Sequence, residues 1–302
     1  MSQTRVAYLT GRAFRGQPVP AGALPGYEAD DFALAEAAAK RAGIQFEPAY
    51  WDAPDLARRG FAAAIIRSCW DYTGQAPRFI DTLAAREAEG LRIFNSSAVV
   101  RWNARKTYLR TLAAAGTATI PTEWTEKTSV QDVARAFETF DAAELVLKPQ
   151  VGAGSQATLR LKRNAWSASE LALGPQGPAM LQPYLPAIES EGEISLLYFG
   201  GALSFVIRKS PVPGGWFAND LKARFEAIAP PEGAEAIAEA ALKAAPADLL
   251  YARVDLVRGE DGAFRLIELE LIEPYLFLAL APAGADDFAR ALTGALARLA
   301  SA

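Results

Sequence analysis

The chain is predicted to fold as an α/β protein, α+β in its second half, and three observations carry that prediction. Alanine-rich helical segments alternate with short apolar runs through the first hundred residues, as in a parallel sheet covered on both faces. From residue 144 onward the apolar runs come in pairs joined by glycine-bearing turns, as antiparallel hairpins do. At 302 residues the chain is long enough to divide into two or three subdomains.

Residues 5–10 read as a strand and residues 29–42 as a helix ended by Gly43, a natural C-cap. Asp30 and Asp31 read as acids of that helix's first turn. Strands follow at residues 44–50 and 61–67, then a helix at 77–89 and a strand at 91–94. A helix is predicted over residues 103–115, stopped by Gly116 and followed by a turn at Pro121. Next come a capped helix at 129–140, a strand at 144–148, a glycine loop and a strand at 158–162. Residues 179–184 and 193–209 are strand-rich, the latter broken at Gly200-Gly201. Residues 211–215 form a loop, residues 232–245 a helix, and residues 285–302 an amphipathic terminal helix.

Composition excludes several functions. A net charge of -4 argues against general nucleic-acid binding. No apolar run reaches membrane-spanning length and no secretory leader pattern opens the chain. The single cysteine, Cys69, cannot pair internally and reads as a buried, inert thiol of a cytoplasmic protein. With no histidine, the chain can hold no Ser-His-Asp or Cys-His nucleophile and no histidine-ligated zinc. Any catalysis must use carboxylates, Lys, Arg, backbone amides and a hard metal ion.

The strand-like runs 251–257 and 264–271 carry Asp255, Glu268 and Glu270. Residues two apart on a strand share a face, so Glu268 and Glu270 point the same way, with Asp255 opposite or diagonal. Three acids crowded into an apolar sheet call for a cation, and oxygen-only ligands suit Mg²⁺. A solvated acidic strand face is the plainer alternative. The run from Lys148 through Gly152, Gly154 and Ser155 contains G-x-G-x-x-A, yet alternating Leu159-Arg160-Leu161-Lys162 makes the next segment a strand. A dinucleotide-binding fingerprint must open a helix, so that reading fails. A flexible hairpin tip can instead fold over phosphates, with Lys148 as a point charge; a mobile surface hairpin is the alternative. Arg67, Trp70, Asp71 and Tyr72 stand after an apolar strand, where open α/β sheets bind ligands. There Arg67 could clamp a carboxylate and Asp71 an amino group, or an Arg67–Asp71 pair and the two rings could plug a seam.

Four motifs in order, Asn103-Ala104-Arg105-Lys106, Lys148-Pro-x-x-Gly-x-Gly, Gln182-Pro183-Tyr184-Leu185-Pro186 and Asp255…Glu268-x-Glu270, resemble the ATP-grasp ligases. The segment LQPYLPAIESEGEISLLYF is similar to bacterial glutathione synthetases. RSCWDY, WNARKTYL and LIELELIEP look more like a smaller branch that includes the O-ureido-D-serine cyclo-ligase of cycloserine biosynthesis. Ser195 stands where glutathione synthetases tend to carry Arg, Glu270 stands where they use Asn, and residues 213–225 lack their later Gly-Gly. Ser195 and the 213–225 segment argue against glutathione synthesis itself, and Glu270 matches the smaller branch.

The resemblance implies the ATP-grasp fold, with an α/β substrate domain (1–102), a central subdomain with the glycine loop (103–181) and a C-terminal subdomain with the metal site (182–302). It implies that Lys106 and Lys148 contact ATP phosphates under the loop of Gly152, Gly154 and Ser155. Gln182, Tyr184 and Leu185 would line the adenine pocket, Glu193 would hold the ribose, and Asp255, Glu268 and Glu270 would bind one or two Mg²⁺ ions. Arg208, Lys209 and Arg253 would steady an acyl phosphate and the oxyanion that follows, with a salt bridge inside the acidic cluster as the alternative for Arg253. The implied activity joins a small-molecule carboxylate to an amine, within one molecule or between two; an ATP-binding regulatory module is the alternative. Homo-oligomerisation stays open.

Overall fold

In the computed structural model, residues 3–14, 17–20, 28–154, 156–216, 223–246 and 248–301 are described. Strands Thr4–Thr10, Ile44–Tyr50, Ala63–Ser68 and Ile93–Phe94 form a parallel sheet with Thr4–Thr10 and Ala63–Ser68 at its centre. Both faces are covered, as a parallel sheet requires. Val6, Tyr8 and Ile65 pack toward helix Glu28–Arg41 and the terminal helix Ala283–Ser301. Leu9, Ala64 and Ile66 pack toward Phe79, Ile80 and Leu83 of helix Ala76–Ala88.

A second sheet is antiparallel, in the spatial order Glu123–Thr125, Ala179–Pro183, Glu144–Pro149, Leu159–Lys162. Its Leu145, Leu147 and Leu181 bury against Val133 and Phe137 of helix Val130–Phe140. Ser129 caps that helix through a reciprocal pair with Asp132. The glycine loop therefore joins two antiparallel strands, Glu144–Pro149 and Leu159–Lys162, as the alternation of Leu159 to Lys162 predicts.

The third sheet orders Arg224–Ile228, Ala202–Ser210, Glu193–Phe199, Tyr251–Arg258 and Phe264–Glu270, all antiparallel. Gly200 and Gly201, both at positive φ, make the turn predicted between the second and third of these. One apolar face packs against helix Ala234–Ala244.

One predicted helix is corrected. Residues 103–115 are not continuous: helix Ser97–Asn103 ends, and Tyr108–Ala114 begins anew. Asn103 is buried, its amide nitrogen donating to the Leu269 carbonyl and its oxygen accepting from Leu271 N–H, while Lys106 N–H donates to the Gln150 carbonyl. These tertiary bonds outcompete the helical ladder across residues 104–107. Asp31 does lie in a first helical turn, but its carboxylate is spent elsewhere, accepting from Leu276 and Leu278 N–H at 3.0 and 2.8 Å.

Candidate active site

In the third sheet, register places Asp255 opposite both Glu268 and Ser195, Arg253 opposite Glu270, and Glu193 opposite Lys209. Because alternate residues share a face, all seven side chains stand on one side of the sheet. The second sheet presents Val146, Lys148 and Gln182 toward the same space by the same alternation. The cleft between them holds about 930 Å³, and Trp70 and Tyr72, on the turn after strand Ala63–Ser68, close a third side.

The polar groups form a chain of ion pairs. Lys106 Nζ lies 2.7 Å from Glu268 Oε1. Arg253 pairs with Asp255 at 2.9 Å and with Glu270. Lys209, fully buried, pairs with Glu193 and lies 3.2 Å from Asp255. Burial pushes the Asp255 carboxyl up, but Arg253 and Lys209 outweigh it and hold it well below the usual range. Burial with the neighbouring Glu268 and Asp255 prevails over Arg253 at Glu270, raising it to about 7. Burial lowers Lys148 to about 8. Among the described residues Lys148 makes no hydrogen bond or ion pair, so an ammonium faces the cleft without a counterion in contact.

Lys106, Gly152 and Gly154 line the cleft with Lys148, and Lys106 Nζ also donates to the Gly152 carbonyl at 3.0 Å. Ser155 lies outside the described residues, as do residues 217–222 of the 213–225 segment. Gln182, Tyr184, Leu185 and Glu193 line the cleft as well. The Tyr184 N–H is committed to the Glu144 carbonyl and its hydroxyl to Glu189, with the Arg160 guanidinium 3.8 Å above the ring.

Several residues stand elsewhere than the sequence suggests. Arg208 does not line the cleft; it pairs with Glu226 at 3.1 Å, because adjacent strand residues face opposite sides and Lys209 takes the cleft side. Arg67 is fully buried behind the cleft, donating to the Pro274 carbonyl, with its guanidinium 5.0 Å from the Tyr251 ring. It neither lines the cleft nor pairs with Asp71. Asp71 does line the cleft, but it accepts from Arg12 N–H at 2.8 Å and Trp51 Nε1 at 3.0 Å, so both oxygens are also held by the fold. A Cβ at Gly11 would meet Asp71 Oδ1 at 2.3 Å, which explains the glycine there. Tyr72 stacks on Phe79, leaving Trp70 as the more open aromatic of this wall.

The acids fit a hard divalent cation in part. Glu268 and Glu270 are about a quarter exposed and face the cleft, and carboxylate oxygens are the donors such an ion takes. Asp255 does not fit as a third ligand: Ser195 Oγ at 2.5 Å and Arg253 Nε at 3.0 Å occupy Oδ1, while Arg253 Nη2 and Lys209 occupy Oδ2. Among the described residues no three acidic side chains converge on a common point.

Glu273 escaped the sequence reading. It lies three residues beyond Glu270 in the run ELELIEP, lines the cleft and is 7 % exposed. Burial and then Glu270 push its carboxyl far above the ordinary range. The signal available was its acidity in an otherwise apolar run.

Residues 6–95 match the family model described as D-cycloserine synthetase DcsG, N-terminal domain. The chain is 33 % identical over 274 residues to the cycloserine biosynthesis protein DcsG of Streptomyces lavendulae, covering 84 % of this chain and 90 % of that protein. It superposes on crystalline D-cycloserine synthetase DcsG with a TM-score of 0.82 and 30 % identity, covering 97 % and 99 % of the two chains. At 15 % identity it shares its fold with D-alanine–D-alanine ligase of Bacillus anthracis complexed with ATP (TM-score 0.66; 99 % and 98 % covered). The ATP-grasp ligase PsnB, solved with a minimal precursor, Mg and ADP, has the same fold at 17 % identity (TM-score 0.62; 96 % and 98 % covered).

Proposed function

Since the chain belongs to the D-cycloserine synthetase DcsG family of ATP-grasp ligases, we propose that it phosphorylates the carboxylate of an amino-acid-like substrate and closes an amide on the acyl phosphate. It is an ATP-dependent ligase forming C–N bonds, so the alternative of a regulatory nucleotide-binding module falls away. Its intramolecular form, ring closure as in D-cycloserine synthesis, is the version we favour, on the strength of that kinship. The observation that carries the reading is the opposition of Lys106 and Lys148 to Glu268 and Glu270 across one cleft.

In this reading the two lysines hold the triphosphate and the glycine loop of Gly152 and Gly154 covers it. Gln182 and Leu185 bound the adenine, and the Leu185 amide reads its edge, the Tyr184 amide being committed to Glu144. Glu193 reaches the cleft from the end of its strand, placed for the ribose hydroxyls. A magnesium ion carried on the phosphates would be held by Glu268 and Glu270 and supplies charge neutralisation during phosphoryl transfer. Arg253, set between Asp255 and Glu270 and donating to the Tyr275 carbonyl at 3.2 Å, presents the cationic edge beside which an acyl phosphate and its oxyanion build charge. Lys209 and Asp255 support it from beneath. Trp70 forms the outer wall of the substrate end. Among the described residues no helix is long and apolar enough to cross a membrane, and dependence on ATP suits a cytoplasmic enzyme.

The test is phosphate release from ATP and Mg²⁺ with O-ureido-D-serine and a panel of D- and L-amino acids and dipeptides. Stoichiometric ADP, phosphate and cyclic or linked amide support the reading. Silence across the panel, or AMP and pyrophosphate as products, overturns it.

A further inference from the structure

We propose that Glu273 grips the amino group of the substrate whose carboxylate is activated, and so selects amino acids over acids that lack the amine. The inference rests on the ligase reading above and names the group that this site reads. Glu273 is more than nine-tenths buried and lines the cleft, and among the described residues no hydrogen bond or ion pair is made to its carboxyl, Lys106 and Arg67 acting on it only from a distance. A buried carboxylate left without a partner is costly, and a cation delivered by the ligand removes that cost.

The chain holds the residue in place from both sides. The Arg67 guanidinium donates to the Pro274 carbonyl, immediately after Glu273. The Tyr251 hydroxyl lies 2.9 Å from the Ile272 carbonyl, immediately before it, and 2.6 Å from the Ile66 carbonyl. Asp31 accepts from Leu276 and Leu278 N–H, and Arg253 donates to the Tyr275 carbonyl. A loop tied by three elements on its far side leaves Glu273 facing the cleft in a fixed position, which is how a selective contact is prepared. The other charged residues there have partners in the reading already given: Lys106 and Lys148 take phosphates, Glu268 and Glu270 the phosphate-borne ion. Glu273 stands on the same strand extension as the metal-facing pair with no cation in contact, its carboxyl pushed toward the protonated form by burial and Glu270, and an ammonium arriving beside it would favour the ionised carboxylate. An ammonium on the carbon bearing the activated carboxyl is the cation of matching size and sign.

The experiment compares wild type with Glu273→Gln on O-ureido-D-serine and on 3-(ureidooxy)propanoate, which lacks only the α-amino group, reading kcat and KM for each and for ATP and Mg²⁺. Loss of one charge-assisted hydrogen bond is expected to raise the KM for the amine-bearing substrate roughly tenfold to a hundredfold, with ATP and Mg²⁺ requirements within about twofold. Wild type should prefer the amine-bearing acid by a similar ratio, and the variant should lose that preference. Equal kinetics of variant and wild type, or an effect of the same size on the desamino acid, overturns the inference while leaving the ligase reading intact. A raised Mg²⁺ requirement instead makes Glu273 a metal ligand and overturns it too. If wild type releases no phosphate with either acid or with any amino acid of the panel, the ligase reading fails and takes this inference with it. The substitution keeps the side chain's shape, so an unchanged melting temperature is expected to accompany the kinetic loss.

Discussion

Lys106 Nζ stands 2.7 Å from Glu268 Oε1 and 3.0 Å from the Gly152 carbonyl, so one ammonium ties the acidic hairpin to the glycine loop. Burial works against its charge, yet Glu268 prevails and raises its pKa, while Lys106 and Lys148 together overcome burial to lower that of Glu268. A triphosphate with its magnesium would offer each member a new partner, the lysine a phosphate and the glutamate a cation. The pair is therefore expected to separate on nucleotide binding. Crosslinking or chemical-shift change at Lys106 on adding Mg·ATP checks this, and an unchanged pair in a nucleotide complex would count against it.

Lys148→Ala is predicted to lose at least about a hundredfold in ATP turnover with no loss of melting temperature. The lysine is partly buried and unpaired, so removing it relieves a desolvated charge. Turnover near the wild-type level would remove Lys148 from the phosphate site.

The same residue sets a pH dependence. Burial lowers Lys148 to about 8, below its unfolded value, so the unfolded chain binds more protons through the window between. Lys148 therefore adds to stability as pH rises from about 8 to about 10.5, the reverse of a salt-bridged lysine. ATP favours its charged form, so binding should take up a fraction of a proton near pH 8.5 and weaken above it (roughly tenfold per pH unit at most). Calorimetry in two buffers of unlike ionisation heat reads the uptake; Lys148→Arg should abolish it.

Glu268→Gln and Asp255→Asn should fail differently. Glu268→Gln is predicted to lose magnesium-dependent turnover with the fold intact. Asp255→Asn leaves Arg253 and Lys209 buried without their shared carboxylate, a change that costs about 3 kcal/mol or more. Thermal melts alongside phosphate release separate the two. Equal melting temperatures in both variants would argue that Asp255 is a ligand rather than a support.

Arg67→Ala should act on stability and on the loop around Glu273 together. It removes the donor to Pro274 and empties a fully buried site. The melting temperature should fall by several degrees and the amino-acid KM should rise, while the ATP KM stays within about twofold. A higher KM without any thermal loss would restore the direct substrate clamp that its position after an apolar strand suggests.

Local pattern was enough to read most of the framework, because periodicity and turn chemistry are written residue by residue. The parallel first sheet, the antiparallel strands flanking the glycine loop, the Gly200-Gly201 turn and the acidic hairpin with Asp255 opposite Glu268 all followed from it. Charge type likewise foretold an acidic, lysine-bearing cleft in a chain without histidine. Tertiary contact alone decided which charges are free. Asp255, Glu268 and Glu270 look alike in sequence, yet Arg253, Ser195 and Lys209 saturate the first while the other two reach the cleft. Arg67 turned inward, Asp71 kept a place on the cleft wall with both oxygens held by Arg12 and Trp51, and Glu273 emerged with no hydrogen-bond partner, because segments distant in the chain decide which groups are engaged. A residue's chemistry is carried by its side chain, but whether that chemistry is available depends on partners that only the folded chain brings near.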